Sequence, residues 1–279
     1  MKIAFFGTPP FTVEFLDYLQ VHNLTPSLIV TGMDVPIGRK QVVTPPEPKL
    51  WAQKENIPFV QPDKNLTELT DTLAQEEWDL FIVIAYGKIL PERLINLPKY
   101  GTINVHYSLL PKYRGASPVE HAILSGDTTT GVCIQHMVYA LDAGAIIKQQ
   151  EVVIQDTDTH TILRDKLNQI AKPLLLESIE TLRAGNRDFI IQEEAQKSIT
   201  KKIKKTDGLI TLSEDGKILW QKYRAYFGWP GLYFIDEKNG QSIRVKISCA
   251  HSEKNSFIID TVIPEGKNEM KYEDYKKWK

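Results

Sequence analysis

The chain has 279 residues, 42% of them hydrophobic, with a formal charge of −1 and only two cysteines. That length buries one good core and allows two domains, while the near-neutral balance excludes a general nucleic-acid binder and leaves any such contact to local basic clusters. Cys133 and Cys249 form no CxxC, which excludes a disulfide framework and a cysteine zinc site and fits a reducing compartment.

"KIAFF" (2–6) is a continuous apolar run, the pattern of a strand buried on both faces. "MKIAFFG" is too short a run for a signal peptide, because Thr8, Pro9 and Pro10 end it. Val13, Leu16 and Leu19 then repeat at helical spacing, and "SLIVTG" (27–32) is a second strand. Helical stretches are predicted near 46–56, 65–76 and 91–96. "WDLFIVIAYG" (78–87) gives the strongest strand signal, and "GTINVH" (101–106) gives another. The longest apolar run, "LFIVIA" (80–85), falls far short of a membrane span, so no membrane partner is expected and the simplest address is the cytoplasm. Strands alternating with helices argue for an α/β fold built on a Rossmann-like, mostly parallel sheet.

"GVCIQHMV" (131–138) and "GAIIKQQEVVI" (144–154) are two strands close in sequence, read as an antiparallel extension. From 159 to 184, Leu163, Leu167, Ile170, Leu174, Ile179 and Leu182 mark one long amphipathic helix. "RAGNRD" (183–188) ends it, and a polar, Lys-rich linker follows to 206. "GLITL" (208–212), "GLYFI" (231–235), "SIRVKIS" (242–248) and "SFIIDTVI" (256–263) read as strands, with a helix at 215–226. The expected division is 1–188 as a catalytic domain, 189–206 as a linker and 207–279 as a small OB-like β-barrel domain, partly open.

In open parallel sheets, ligands sit beyond the carboxyl ends of the strands. Asn104 and His106 lie at such an end and share one side of their strand, while Tyr86 and Gly87 end its neighbour. The first loop, "GTPPF", is not GxGxxG, which disfavours a nicotinamide cofactor. No metal is expected: there is no HExxH, His121 and His136 lack ligand spacing, and His22, His160 and His251 read as surface or satisfied histidines. Asn104 can donate to a developing oxyanion. Asp142, in the turn "YALDAG", can hold an imidazole protonated or relay a proton, and its plain alternative is a turn-forming aspartate.

The sequence resembles the folate-dependent formyltransferase family in "FFGTPPFTVEFLDYL", "VPIGRKQVVTPPEPK" (35–49), "AYGKILPERLI" (85–95), "INVHYSLLPKYRGASPV" (103–119) and "LDAG" (141–144). These keep the family order over roughly the first 190 residues, and "YRAYFGWPGLYF" (223–234) extends the likeness more weakly. The resemblance implies a Rossmann-like domain, a linker and an OB-like domain. It implies transfer of a formyl group from 10-formyltetrahydrofolate to the methionyl amino group of initiator tRNA. Its catalytic trio falls on Asn104, His106 and Asp142. Its folate-binding residues fall on Ser108, Leu109, Leu110 and Pro111, with backbone groups near Tyr86, Gly87, Lys88 and Ile89 for the flat pterin and apolar walls from Leu90 and Leu110.

Contacts to tRNA are expected from Arg39 and Lys40, from the linker lysines Lys201, Lys202, Lys204 and Lys205, and from Arg114, which either anchors its loop or meets a phosphate. The plain alternatives are a solvated linker and a surface arginine. Tyr107, where the family usually has a small residue or Pro, and Val138, where an acid is frequent, bear on the acceptor rather than the reaction. Other acceptors stay open: an amino sugar on a nucleotide, water as in formyltetrahydrofolate hydrolases, or glycinamide ribonucleotide. Of another class, a non-catalytic tRNA-binding protein has no chemical need for all three of Asn104, His106 and Asp142. A monomer is expected.

Overall fold

A strand buried on both faces must be apolar at every position, and the chain meets that demand at regular intervals. The computed structural model describes residues 1–38, 40–63, 65–238 and 240–278. β1 (Ile3–Gly7) is followed by a 3-10 turn at Pro10–Thr12, α1 (Val13–Val21) and β2 (Leu28–Val30). A hairpin of β3 (Val35–Ile37) and β4 (Val42–Thr44) comes next, then α2 (Glu47–Lys54) and β5 (Phe59–Val60). α3 (Thr67–Leu73), β6 (Leu80–Ile84), α4 (Glu92–Ile95) and β7 (Thr102–His106) complete the alternation. Beyond it run β8 (Arg114–Gly115), α5 (Pro118–Leu124), β9 (Thr129–His136), β10 (Ile146–Val153) and α6 (His160–Arg183).

The main sheet has seven strands in the order β10-β9-β7-β6-β1-β2-β5. Neighbours from β5 to β7 pair parallel, and β9 joins β7 antiparallel. The mostly parallel sheet with an antiparallel extension, expected from the sequence, is therefore present. Its central strands are buried throughout, and Phe6, Phe81, Trp78 and Tyr86 pack ring to edge on one face.

The C-terminal part holds β11 (Ile199–Thr200), which pairs parallel with β8, then α7 (Gly216–Ala225). Asp215 caps α7, its carboxylate accepting from Lys217 N and Ile218 N. β12 (Tyr233–Lys238), β13 (Gln241–Glu253), β14 (Ser256–Pro264) and β15 (Met270–Lys271) form an antiparallel sheet in that order, followed by α8 (Tyr272–Lys277). The expected partly open barrel takes the form of this four-stranded sheet. "GLITL" is not one of its strands. Leu209 makes a single bridge to Tyr233 and sits behind a 3-10 turn at Lys205–Gly208, where a Cβ on Gly208 would lie 2.1 Å from Gly231 O.

The chain folds into two compact units: 1–112, 131–150 and 168–197 in one, and 113–130, 151–167 and 198–279 in the other. Among the described residues no helix is long and apolar enough to cross a membrane, and no cluster of His, Cys, Asp and Glu gathers as a metal site.

In the second unit, His160 begins α6 in a buried setting beside the Arg164–Glu120 ion pair. Burial holds its imidazole below the usual 6.5, Arg164 adds to the effect, and Glu120 opposes it. The folded state thus refuses a proton that the unfolded chain accepts below about pH 6.5. Stability is expected to fall as pH drops through that value. Denaturant unfolding at pH 7.5 and pH 5.5 should show a smaller acid loss in His160→Gln than in the wild type.

Candidate active site

The antiparallel register of β7 with β9 sets Asn104 opposite Gln135 and His106 opposite Cys133. The segment after β9 then doubles back: Met137 N donates to Thr102 O at 2.7 Å, and His136 N donates to Ala145 O at 2.8 Å. The return is tight at Gly144, where a Cβ would lie 1.6 Å from His136 O. That approach explains the glycine of "LDAG" better than any need for an unusual φ. Asp142 takes the left-handed conformation, φ 45°, and Gln192 clamps the turn by donating to Asp142 O at 2.9 Å and Gly144 O at 2.7 Å.

The result brings the three expected catalytic residues together. His106 Nδ1 lies 3.6 Å from Asp142 Oδ2, and Asn104 Nδ2 lies 3.5 Å from Asp142 Oδ1. His106 is 5% exposed, so its field is weakly screened. Asn104 and His106 are the kind of donors that stabilise an oxyanion at a carbonyl carbon. Gln135 and Gln192, which no motif marked, complete the surroundings of Asp142: Gln135 Nε2 donates to Oδ1 at 2.8 Å. Gln135 was legible only through its register with Asn104, and Gln192 lay in a stretch read as linker.

The "SLLP" loop is seated on β9. Leu110 N approaches Cys133 Sγ at 3.4 Å, and Leu110 packs with Cys133 and Ile146. Gly131 leaves room for it, since a Cβ there would lie 2.5 Å from Leu109 Cδ2. Ser108 is buried and donates to Lys112 O at 2.6 Å, and the Leu110–Pro111 peptide is cis. Burial pushes the Cys133 thiol up to about 12, so it is no nucleophile. Tyr107 is a strut: its hydroxyl donates to Asn168 Oδ1 at 2.8 Å, and its ring meets Phe11 edge-on.

The 86–90 segment splits its faces. Tyr86 and Leu90 belong to the core, while Gly87 and Ile89 face outward, with Ile89 80% exposed. Leu90 and Leu110, expected as apolar walls around the pterin, are buried in two core clusters, closing the packing beneath their loops. Lys88 is spent on structure, its ammonium bonding to Pro62 O and Asp63 O at 2.5 and 3.0 Å. Gly87 has φ 79°, and nothing lies within 4 Å of a Cβ placed there. Exposed apolar surface is offered by Val138, Tyr139 and Leu141 as well as by Ile89. A cavity of about 750 Å³ in the same unit, lined by Leu28, Val60, Leu69, Leu73 and Trp78, includes none of the trio.

The expected basic contacts divide. Lys40 is exposed in the turn of the β3–β4 hairpin, and Arg39 lies outside the described residues. Lys201, Lys202, Lys204 and Lys205 are all exposed. Arg114 is 4% exposed; its backbone donates to Ser198 O, and its carbonyl accepts from Thr200, so it anchors its loop and is not a surface cation.

Residues 1–179 match the model of the formyl transferase family. The methionyl-tRNA formyltransferase of Sulfurihydrogenibium sp. (strain YO3AOP1) is 41% identical, over 85% of this chain and 78% of its own. That of Bacillus licheniformis is 37% identical, over 98% of this chain and 94% of its own. Among solved structures, a sugar 3N-formyl transferase, in the presence of dTDP and 5-N-formyl-THF, shares the fold with a TM-score of 0.64 at 20% identity, covering 93% of both chains.

The two glycines respond differently to a methyl group. Gly87→Ala meets open space and costs only the left-handed backbone, about 1–2 kcal/mol. Gly144→Ala must push the His136 carbonyl aside, at the upper end of the about 1–3 kcal/mol that overpacking costs or beyond. Denaturant unfolding of both variants should rank Gly144→Ala as the more destabilised.

Proposed function

Because this chain belongs to the formyl transferase family, we propose that it transfers a formyl group from 10-formyltetrahydrofolate to the methionyl amino group of initiator tRNA. The observation that carries this reading is the convergence of Asn104 and His106 on Asp142, within 3.6 Å, at the carboxyl end of a sheet strand. The folate donor supplies an activated formyl carbon when bound. The residues present fit such a donor: the seated "SLLP" loop, the open backbone at Gly87 and the exposed apolar Ile89 and Leu141 offer a flat ring both backbone partners and apolar faces.

The chain's own groups then have distinct work. A neutral amine adding to the formyl carbon makes a tetrahedral oxyanion, and Asn104 and His106 donate to it. Asp142 orients His106 and helps remove the proton that the amine must lose. When the bond from the formyl carbon to the folate nitrogen breaks, that nitrogen takes a proton, so charge and atoms balance. Lys40 and Arg39, with the exposed lysines 201, 202, 204 and 205, meet tRNA phosphates, and the buried Arg114 anchors its own loop. The working division is 1–188 for catalysis, 189–206 as linker and 207–279 as accessory domain, in a monomer of the cytoplasm.

Purified protein given 10-formyltetrahydrofolate with charged initiator tRNA, or with an amino-sugar nucleotide, tests the reading directly. Formyl-methionyl-tRNA as the product supports it, and efficient formylation of the sugar alone overturns it.

His106→Ala should lower turnover by about 10²–10³-fold, the usual cost of an oxyanion donor, with the melting temperature little changed. Neutralising Lys201, Lys202, Lys204 and Lys205 together should weaken tRNA binding and flatten its dependence on salt, because fewer counterions are released. Turnover at saturating tRNA should stay near wild type, and a binding titration at three salt concentrations reads the slope.

A further inference from the structure

Gln135 is 1% exposed on β9, directly opposite Asn104 in the register, and donates to Asp142 Oδ1 at 2.8 Å. Asn104 reaches the same oxygen at 3.5 Å, the outer limit of a hydrogen bond. The other oxygen, Oδ2, faces His106. Gln135 Oε1 is buried and has no hydrogen-bond partner among the described residues. Turning the amide over would give that oxygen no better place, because it would then face a carboxylate. A buried acceptor left unsatisfied is costly, and such groups collect where function demands them. The side chain therefore keeps its donor on Asp142 at the expense of its own acceptor.

Resting on the formyl-transfer reading above, we infer that Gln135 is a positioning residue of that reaction, which fixes the Asp142 carboxylate with one oxygen toward His106 and leaves the Asn104 amide to serve the reacting carbonyl. The arrangement is a division of labour between two amides in register. Gln135 is sealed from solvent, and its Nε2 is committed to Oδ1. Asn104 is half-buried and only loosely held by the same oxygen. Gln192 works on the backbone instead, clamping the Asp142 and Gly144 carbonyls, so the carboxylate and its turn are held by separate side chains. A titratable group facing the carboxylate is His106 on β7. β9 brings the neutral Gln135, and the segment after α6 brings the neutral Gln192.

A hydrogen-bond donor to a carboxylate favours its charged form over the protonated one. Loss of the donor from Gln135 favours protonation, so activity is expected to be lost at a higher pH as the solution is acidified. The test is the pH profile of kcat/KM for methionyl-tRNA formylation in wild type, Gln135→Met and Gln135→Glu, with melting temperatures alongside. Gln135→Met keeps length and volume and should lower kcat about 10- to 100-fold, the loss of one hydrogen bond to a charged group, with KM nearly unchanged. Its acid limb should move up by about one pH unit, the equivalent of about 1.4 kcal/mol. Gln135→Glu sets a second carboxylate against Asp142, so the pair shares a proton and the acid limb should move further in the same direction.

An acid limb that stays at its wild-type position in both variants overturns the inference, whatever happens to the melting temperature. So does a uniform loss of rate that simply tracks a lower melting temperature. If the wild type fails to formylate the tRNA at all, it is the reaction assignment that falls, and that result is read before any variant.

Discussion

β7 and β9 run antiparallel with Asn104 opposite Gln135 and His106 opposite Cys133, and the position of every polar group at the site follows from that pairing. Side chains alternate along a strand, so a slip of one residue would turn Asn104 and His106 to the other face and put Val105 in their place. The register is secured by apolar burial: Ile103, Val105, Val132, Cys133 and Ile134 are all inside the fold. Hydrophobic packing that has no part in chemistry thus fixes which polar groups share one face of the strand pair.

The same pairing decides what the following loop must do. Asp142 lies six residues beyond the end of β9 and has to return to the strand it left. Gly144 permits the return, since a side chain there would collide with the His136 carbonyl. Gln192 holds it from the far side, and the "SLLP" loop rests on β9 through Leu109 and Leu110. β9 is therefore a shared floor. One stretch of it carries Gln135, another supports the "SLLP" loop, and both belong to one extended strand.

Much of this was legible in the sequence, and the reasons differ by element. β1 and β6 announce themselves because burial on both faces demands unbroken apolar runs, and β7 does so by alternation, with Ile103 and Val105 between Thr102, Asn104 and His106. The long helix α6 does so through its repeat. The β3–β4 hairpin was missed because Val35, Ile37, Val42 and Val43 are all exposed, so there is no alternation to detect. β5, with two residues, is too short for any pattern. "GLITL" looked like a strand by composition, but close packing of Gly208 on Gly231 O leaves it one bridge. At the site, Asn104, His106 and Asp142 were readable from motif, whereas Gln135 and Gln192 depend on tertiary approach alone. Packing drew Leu90 and Leu110 inside, and the burial of Arg114 favours its anchoring reading over a surface cation.

The two cysteines differ in a way that makes the chain its own recorder of breathing motions. Cys249 is exposed, while Cys133 is sealed beneath Leu110 with its thiol held protonated. A thiol reagent reaches the first from solution and the second only when the loop above it lifts. The ratio of the two labelling rates then measures how often the floor beneath the "SLLP" loop opens, with no probe introduced.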